Sequence, residues 1–184
     1  MPPIITTDRL ALRTWHPEDR EPFAAMNADA RVMEFFRQRL SREESDAYVD
    51  RIEAHFEREG FGLFAAELRE SGEFVGYVGL QVPKFEAPFA PCVEIGWRLA
   101  AAHWGKGLAT EGAQAALHWG FESVGLPEIV SFAVPANVRS IRVMQKIGMK
   151  RDEGGDFDHP QLPPGHPLRR HVLYRAANPD PPKR

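Results

Sequence analysis

A single cysteine, Cys92, stands among 184 residues, so no internal disulfide can form and a secreted scaffold held by bridges is excluded. No apolar run approaches the roughly 20 residues needed to cross a bilayer. The opening Met1-Pro2-Pro3-Ile4 lacks the charged segment and long apolar stretch of a secretory signal. These absences lead to the expectation of a cytoplasmic protein with no membrane partner. Basic charge is not in excess either: 23 Lys and Arg stand against 26 Asp and Glu, a net charge of −3 that argues against a nucleic-acid partner. No internal repeat is present. What remains is an ordinary globular composition, 43% hydrophobic, sufficient for one well-buried core and too short for two ordinary domains. One domain is expected over residues 1–177, with 178–184 a polar, proline-rich, disordered tail. The charge is unevenly spread. Residues 1–75 carry 16 acidic and 10 basic side chains, and the remainder is net positive by 3. That split would suit a cationic amine at the front and an anionic ligand at the back, or it reflects ordinary solvated faces.

The most informative stretch is Trp104-Gly105-Lys106-Gly107-Leu108-Ala109-Thr110-Glu111. Two glycines open a helix there. Glycine takes positive φ and lets backbone approach a ligand, while the first helical turn offers unpaired N–H groups and the positive end of the dipole. A diphosphate suits such a cradle; a plain tight turn uses the same residues. A nucleotide P-loop needs four residues between its glycines and Ser or Thr straight after Gly-Lys, whereas Gly107 follows Lys106. The dinucleotide fingerprint needs a third glycine where Thr110 stands, and its acidic ribose ligand would be Glu122, inside the helix. Neither nucleotide reading fits.

Farther on, Ile129 to Val134 reads as a β-branched strand, followed by a helix from Asn137 to Met149. Asn137 is a good N-cap, Ile141, Met144 and Ile147 share one helical face, and Gly148 stands at the stop. Leu10, Leu12 and Thr14 alternate with Arg9, Ala11 and Arg13 as a first strand, and Pro17-Glu18-Asp19 opens a helix holding Phe23 and Met26. Ser41 and Glu44 form a capping box for a helix running to about Glu59, with Tyr48, Ile52 and Phe56 on one face and Gly60 at its end. Phe61 to Leu68 and Phe74 to Gln81 read as a hairpin, Pro83 to Pro91 as a loop, Val93 to Leu99 as a strand, and Leu108 to Val124 as a helix. Ala109, Ala113 and Ala116 give that helix a face small enough to lie close on a sheet. The segment from Asp152 to Arg170 reads as a long loop, a type that often borders a functional site, running into a closing strand at Arg169 to Tyr174.

Taken together, the opening Thr7-Asp8-Arg9-Leu10-Ala11-Leu12-Arg13, the Trp104 to Glu111 core and the Asn137 to Met149 run resemble the GNAT superfamily of acyl-CoA-dependent N-acyltransferases. Within it they are most similar to the ribosomal-protein N-terminal acetyltransferases of RimJ/RimL type. The resemblance implies an α/β (α+β) fold: one mixed, mostly antiparallel, twisted sheet of six to seven strands, about four helices, and splayed central strands. It implies acetyl-CoA as co-substrate and a primary amine as acceptor, either a protein N-terminus or a small molecule, and many relatives are homodimers. Cofactor contacts would come from Trp104, Gly105, Lys106, Gly107, Leu108, Ala109 and Thr110, from the strand amides of Ile95 and Trp97, and from Asn137 and Ser140. Many superfamily members begin the phosphate loop with Arg or Gln; Trp104 stands there instead, so amides, Lys106 and a remote Arg must meet the phosphate charge.

The same resemblance implies a catalytic set of Ser140 near the coenzyme sulfur, Asn137 against the pantetheine arm or acceptor, and Glu94 as general base, direct or through water. Each has a plainer reading: an N-cap for Asn137, a first-turn residue for Ser140, a solvated strand glutamate for Glu94. The demand on a base depends on the acceptor. An α-amine of pKa near 8 is roughly 10% neutral at pH 7, a lysine side chain only about 0.04%. His159, His166 and His171 with Asp156 and Asp158 match no standard zinc spacing, so no metal is assigned. Cys92 reads as a small core residue, Tyr174 as a packing residue, and Trp15, Phe35 and Phe36 as either core or acceptor mouth. The reading set against the enzyme is a non-catalytic acyl-CoA-binding or sensing module.

Overall fold

The computed structural model describes residues 4–180. Along the chain run β1 (Ile5–Thr6), β2 (Leu10–Arg13), α1 (Arg20–Ala28), α2 (Arg42–Glu59), β3 (Leu63–Leu68), β4 (Phe74–Gln81), β5 (Glu94–Leu99), α3 (Leu108–Glu122), β6 (Glu128–Ala133), α4 (Val138–Lys146), β7 (Lys150–Asp158) and β8 (Arg170–Ala177), with short 3-10 turns at Pro17–Asp19 and Ala101–His103. The sheet has eight strands in the order β1-β2-β3-β4-β5-β6-β8-β7, one or two more than expected. All neighbours are antiparallel except β5 and β6, which the α3 crossover joins in parallel.

Both faces of the sheet are covered, and strand alternation divides the core. Leu63, Ala65 and Tyr77 pack with Trp15, Phe23, Met26, Val49 and Ile52 under α1 and α2. Phe64, Ala66, Val78 and Leu80 pack with Leu108, Ala113, Ala116, Met144 and Ile147 under α3 and α4. The small face of α3 does lie close on the sheet: a Cβ at Gly112 would meet Val78 at 3.1 Å and Leu10 at 3.2 Å. The Ser41–Glu44 box caps α2, which ends on Gly60 in the left-handed region.

The stretch expected to be a loop from Asp152 to Arg170 is half strand. β7 pairs with β8 on both sides of an irregularity between Asp152 and Phe157, leaving only 159–169 as loop. Its polar, glycine-bearing sequence is that of a sheet edge, where one face needs no apolar residues. Asn178 is tied by its N–H to the Pro127 carbonyl at 2.8 Å and by its side chain to the carbonyls of Leu126 and Phe121 at 3.0 and 3.3 Å; residues 181–184 and 1–3 lie outside the described part. Among the described residues no helix is long and apolar enough to cross a membrane.

Candidate active site

The parallel pair β5 and β6 touches at a single bridge, Glu94 to Val130. The Val130 N–H donates to the Val93 carbonyl at 2.9 Å, which turns the Ile95 N–H to Val130 in the same bridge. One residue on, the Ser131 hydroxyl donates to the Ile95 carbonyl at 3.0 Å, and beyond it the strands part. The Leu80 N–H turns to Gly62 on the β3 side, so alternation aims the peptide groups of Glu94, Gly96 and Arg98 at β4 and those of Ile95, Trp97 and Leu99 at the gap. Of the two amides expected to meet a ligand, Ile95 is therefore engaged within the sheet, and Trp97 is the first one free to serve. The carbonyl of Leu99 is closed off by the Trp104 indole N–H at 2.8 Å.

Two cavities meet in this gap. The first, about 270 Å³, is walled by Trp104, Gly105, Gly107, Leu108, Ala109 and Thr110 from the glycine turn and by Arg139, Arg142 and Lys146 from α4. Gly105 and Gly107 hold φ of +74° and +79°, and Gly107 is the N-cap of α3. A Cβ at Gly105 would meet nothing, so the turn is open toward solvent. Lys106 does not line the cavity. It is exposed, and its carbonyl accepts from Arg9 Nη1 at 2.8 Å. The positive charge over the cradle comes from α4 instead, with Arg139 lying 4.2 Å over the Trp104 ring.

The role of the Thr7-Asp8-Arg9 opening is physical. Glu111, in the first turn of α3, accepts from the Thr7 hydroxyl at 2.6 Å, from the Arg9 N–H at 2.9 Å and from Arg9 Nε at 2.6 Å. Burial raises the Glu111 carboxyl, but these donors outweigh it and leave its pKa below the ordinary value. Arg9 thus clamps both the turn and the helix that follows it.

The second cavity, about 500 Å³, lies between the α2 side of the sheet and the β7–β8 end. Glu94 faces it, half-buried, and accepts from Gln81 Nε2 at 2.8 Å. It is not the solvated glutamate of the plainer reading: burial raises its pKa to about 7, against a smaller opposing effect of the Gln81 hydrogen bond. His159 and His171 also line it, both held below the ordinary histidine pKa chiefly by burial. Trp97, Asn137 and Ser140 border both cavities, as do Phe35, Phe36 and Arg98. Asn137 Oδ1 accepts from the Ser140 N–H at 3.1 Å, so the N-cap reading holds, and it leaves the Asn137 amide N–H groups for a ligand.

Other candidates divide. Trp15 is core, 6% exposed and bonded through its indole to the Leu63 carbonyl, whereas Phe35 and Phe36 wall the cavities. Tyr174 packs in the core. Cys92 is half-buried rather than core, and burial pushes its thiol up to about 11, which keeps it protonated near neutrality.

A cradle of helix amides with cations opposite opens into a second cavity at a splayed strand pair, an arrangement able to seat a diphosphate beside a polar meeting point. The family described as the acetyltransferase (GNAT) domain matches residues 9–150. The N-acetyltransferase YnaD of Bacillus subtilis is 30% identical over 149 residues, 80% of this chain and 83% of that protein. A GNAT-family acetyltransferase from Bacillus anthracis superposes with a TM-score of 0.78 at 27% identity over 96% of this chain and 99% of that one. A ribosomal-protein-S5-alanine acetyltransferase from Vibrio fischeri shares the fold at 18% identity, with a TM-score of 0.75 over 95% and 96% of the two chains. The chain belongs to the GNAT acetyltransferase family. It is an acetyl-CoA-dependent acyltransferase.

Proposed function

We propose that the protein transfers an acetyl group directly from acetyl-CoA to a primary amine within a ternary complex. The observation that carries this reading is that both cavities share Trp97, Asn137 and Ser140, so donor and acceptor meet at one point without a covalent relay. The diphosphate would rest on the amides of Gly105 to Thr110, with Arg139, Arg142 and Lys146 meeting its charge. Acetyl-CoA supplies the thioester. The Trp97 N–H donates to the carbonyl oxygen as it becomes an oxyanion. Glu94 takes the proton that the attacking amine loses as its C–N bond forms, and Ser140 gives its hydroxyl proton to the thiolate as the C–S bond breaks, recovering it from solvent. Among the described residues the Ser140 hydroxyl has no protein hydrogen-bond partner, which leaves it free for that task.

Two variants test the parts separately. Ser140→Ala is expected to lower kcat about 10- to 100-fold with little change in either KM, because the hydroxyl acts on a charge present only in the transition state; an unchanged kcat removes it from the chemistry. Gly107→Val forces a β-branched residue into the left-handed region and places a side chain 3.5 Å from Arg9 Nη2. The acetyl-CoA KM should rise about tenfold or more while the acceptor KM holds. Equal KM values for acetyl-CoA in the variant and the parent would move the coenzyme off this turn.

A further inference from the structure

The charge around the acceptor cavity runs opposite to what a cationic substrate needs. Four cations line it, Arg37, Arg51, Lys84 and Arg98, against one carboxylate, Glu94. Among the described residues none of the four is in an ion pair. Three are exposed and at home in water. Arg98 is not: it is 7% exposed, its Nη1 donates to Asn27 Oδ1 at 2.6 Å, and its Nε has no partner. Its guanidinium lies 3.9 Å over the Phe36 ring and between Tyr77 and Tyr48 at 5.4 and 5.5 Å. Aromatic faces offset part of the cost of a buried charge, but they accept no hydrogen bond in the guanidinium plane. The Nε is sealed from the cavity, and the donor left to meet a planar carboxylate is Nη2, which makes no hydrogen bond among the described residues.

Position narrows the ligand further. Arg98 borders both cavities beside Trp97, Asn137 and Ser140, so an anion held by it lies close to the point of transfer. The reacting amine must then stand within a few bonds of the carboxylate. Phe35, Phe36, Phe85, Phe132 and Leu168 form apolar and aromatic stretches of the wall between its polar residues, and these take an uncharged side chain.

Resting on the transferase reading above, we infer that the acceptor is a small amino acid with an apolar side chain, its carboxylate gripped by Arg98, and not a polyamine. A phosphate dianion would need a second buried cation, and only one of the four is buried.

A matched set tests this: phenylalanine, phenylalaninamide, phenethylamine, spermidine and phosphoethanolamine. Thiol release with acetyl-CoA measures turnover, and calorimetric titration into the CoA-saturated protein measures binding without turnover. Phenylalanine is expected to exceed its amide about 10- to 100-fold in kcat/KM, the contribution of one charge-assisted pair. That ratio should fall toward one in Arg98→Gln, with Arg98→Lys between. Arg51→Gln, on an exposed side chain that folding does not need, should reduce the ratio about 2- to 5-fold.

Equal use and equal binding of acid and amide would overturn the inference, as would preference for spermidine or phosphoethanolamine, or a ratio that survives in Arg98→Gln and Arg51→Gln. If the acid binds selectively and none of the five is acetylated, the carboxylate site stands and the transfer reading for these amines fails.

Discussion

Glu94→Gln is expected to slow acetyl transfer by about 10²- to 10⁴-fold and, at the same time, to make the protein more stable at pH 8. Both effects come from one fact, a carboxyl half-buried against Gln81 whose pKa burial raises to about 7. In the unfolded chain the same group titrates near 4.3. Between these values the folded state binds the extra proton, so stability is lost as pH rises from about 4.3 through about 7, and the full penalty, about 4 kcal/mol, applies above that. Glutamine carries no charge to desolvate. The urea unfolding midpoint of the variant should therefore exceed that of the parent at pH 8 and nearly match it at pH 5. Catalysis moves the other way: the ionised carboxylate is the proposed base, so the parent should show a rising limb of kcat near pH 7 and the variant should lack it. Full activity in the variant, or a parent whose stability does not fall across this pH window, would remove Glu94 from the role of buried general base.

What was legible in the sequence was local. The Gly105 and Gly107 turn, the Ser41 box and the Asn137 to Gly148 helix are each written within one or two helical turns, where cap and φ requirements act directly on residue identity. What was not legible depends on pairing across the chain. The Asp152 to Asp158 segment is polar and glycine-bearing, and becomes strand only because β8 lies beside it. Ile95 and Trp97 share a face by alternation, yet only the single Glu94–Val130 bridge and the Ser131 hydroxyl tell which peptide is free. The excess of acid in residues 1–75 suits either a cationic guest or ordinary solvated faces. Part of that acid is turned to the surface, where Asp50 and Glu53 pair with Arg20. The cavity is instead lined by cations drawn from four separate segments, which no window of sequence brings together. The Thr7 to Arg9 opening is recognisable as a pattern, but its physical role, the clamp on Glu111, joins residues a hundred positions apart and emerges only on folding.

Asp19→Ala is expected to cost about 3–5 kcal/mol, a large share of the stability of a domain of this size. Arg13 is 7% exposed, and its guanidinium donates through Nη1 and Nη2 to the two Asp19 oxygens at 2.7 and 2.8 Å and through Nε to Glu67 at 2.7 Å. The Asp19 hydrogen bond, foremost, and that of Glu67 outweigh the cost of burial and hold the Arg13 pKa above its ordinary value. Without Asp19 a buried cation keeps only one carboxylate, and the His16 N–H loses its acceptor at 2.8 Å. The pair also anchors the start of α1, which carries Phe23 into the aromatic group with Trp15, Tyr48 and Tyr77 and leads on to Phe35 and Phe36 at the two cavities. A weaker anchor should therefore raise the acceptor KM at temperatures where the variant is still folded. Breaking the pair and replacing it are different operations: Arg13→Met with Asp19→Leu removes both charges and should recover most of the lost stability, since the penalty arises from the uncompensated charge and not from the absence of an ion pair. Urea unfolding of the parent, the single variant and the double variant decides the matter. A single-variant loss below about 1 kcal/mol, within the range of an exposed pair, would show that the Arg13 charge is adequately held by Glu67 alone.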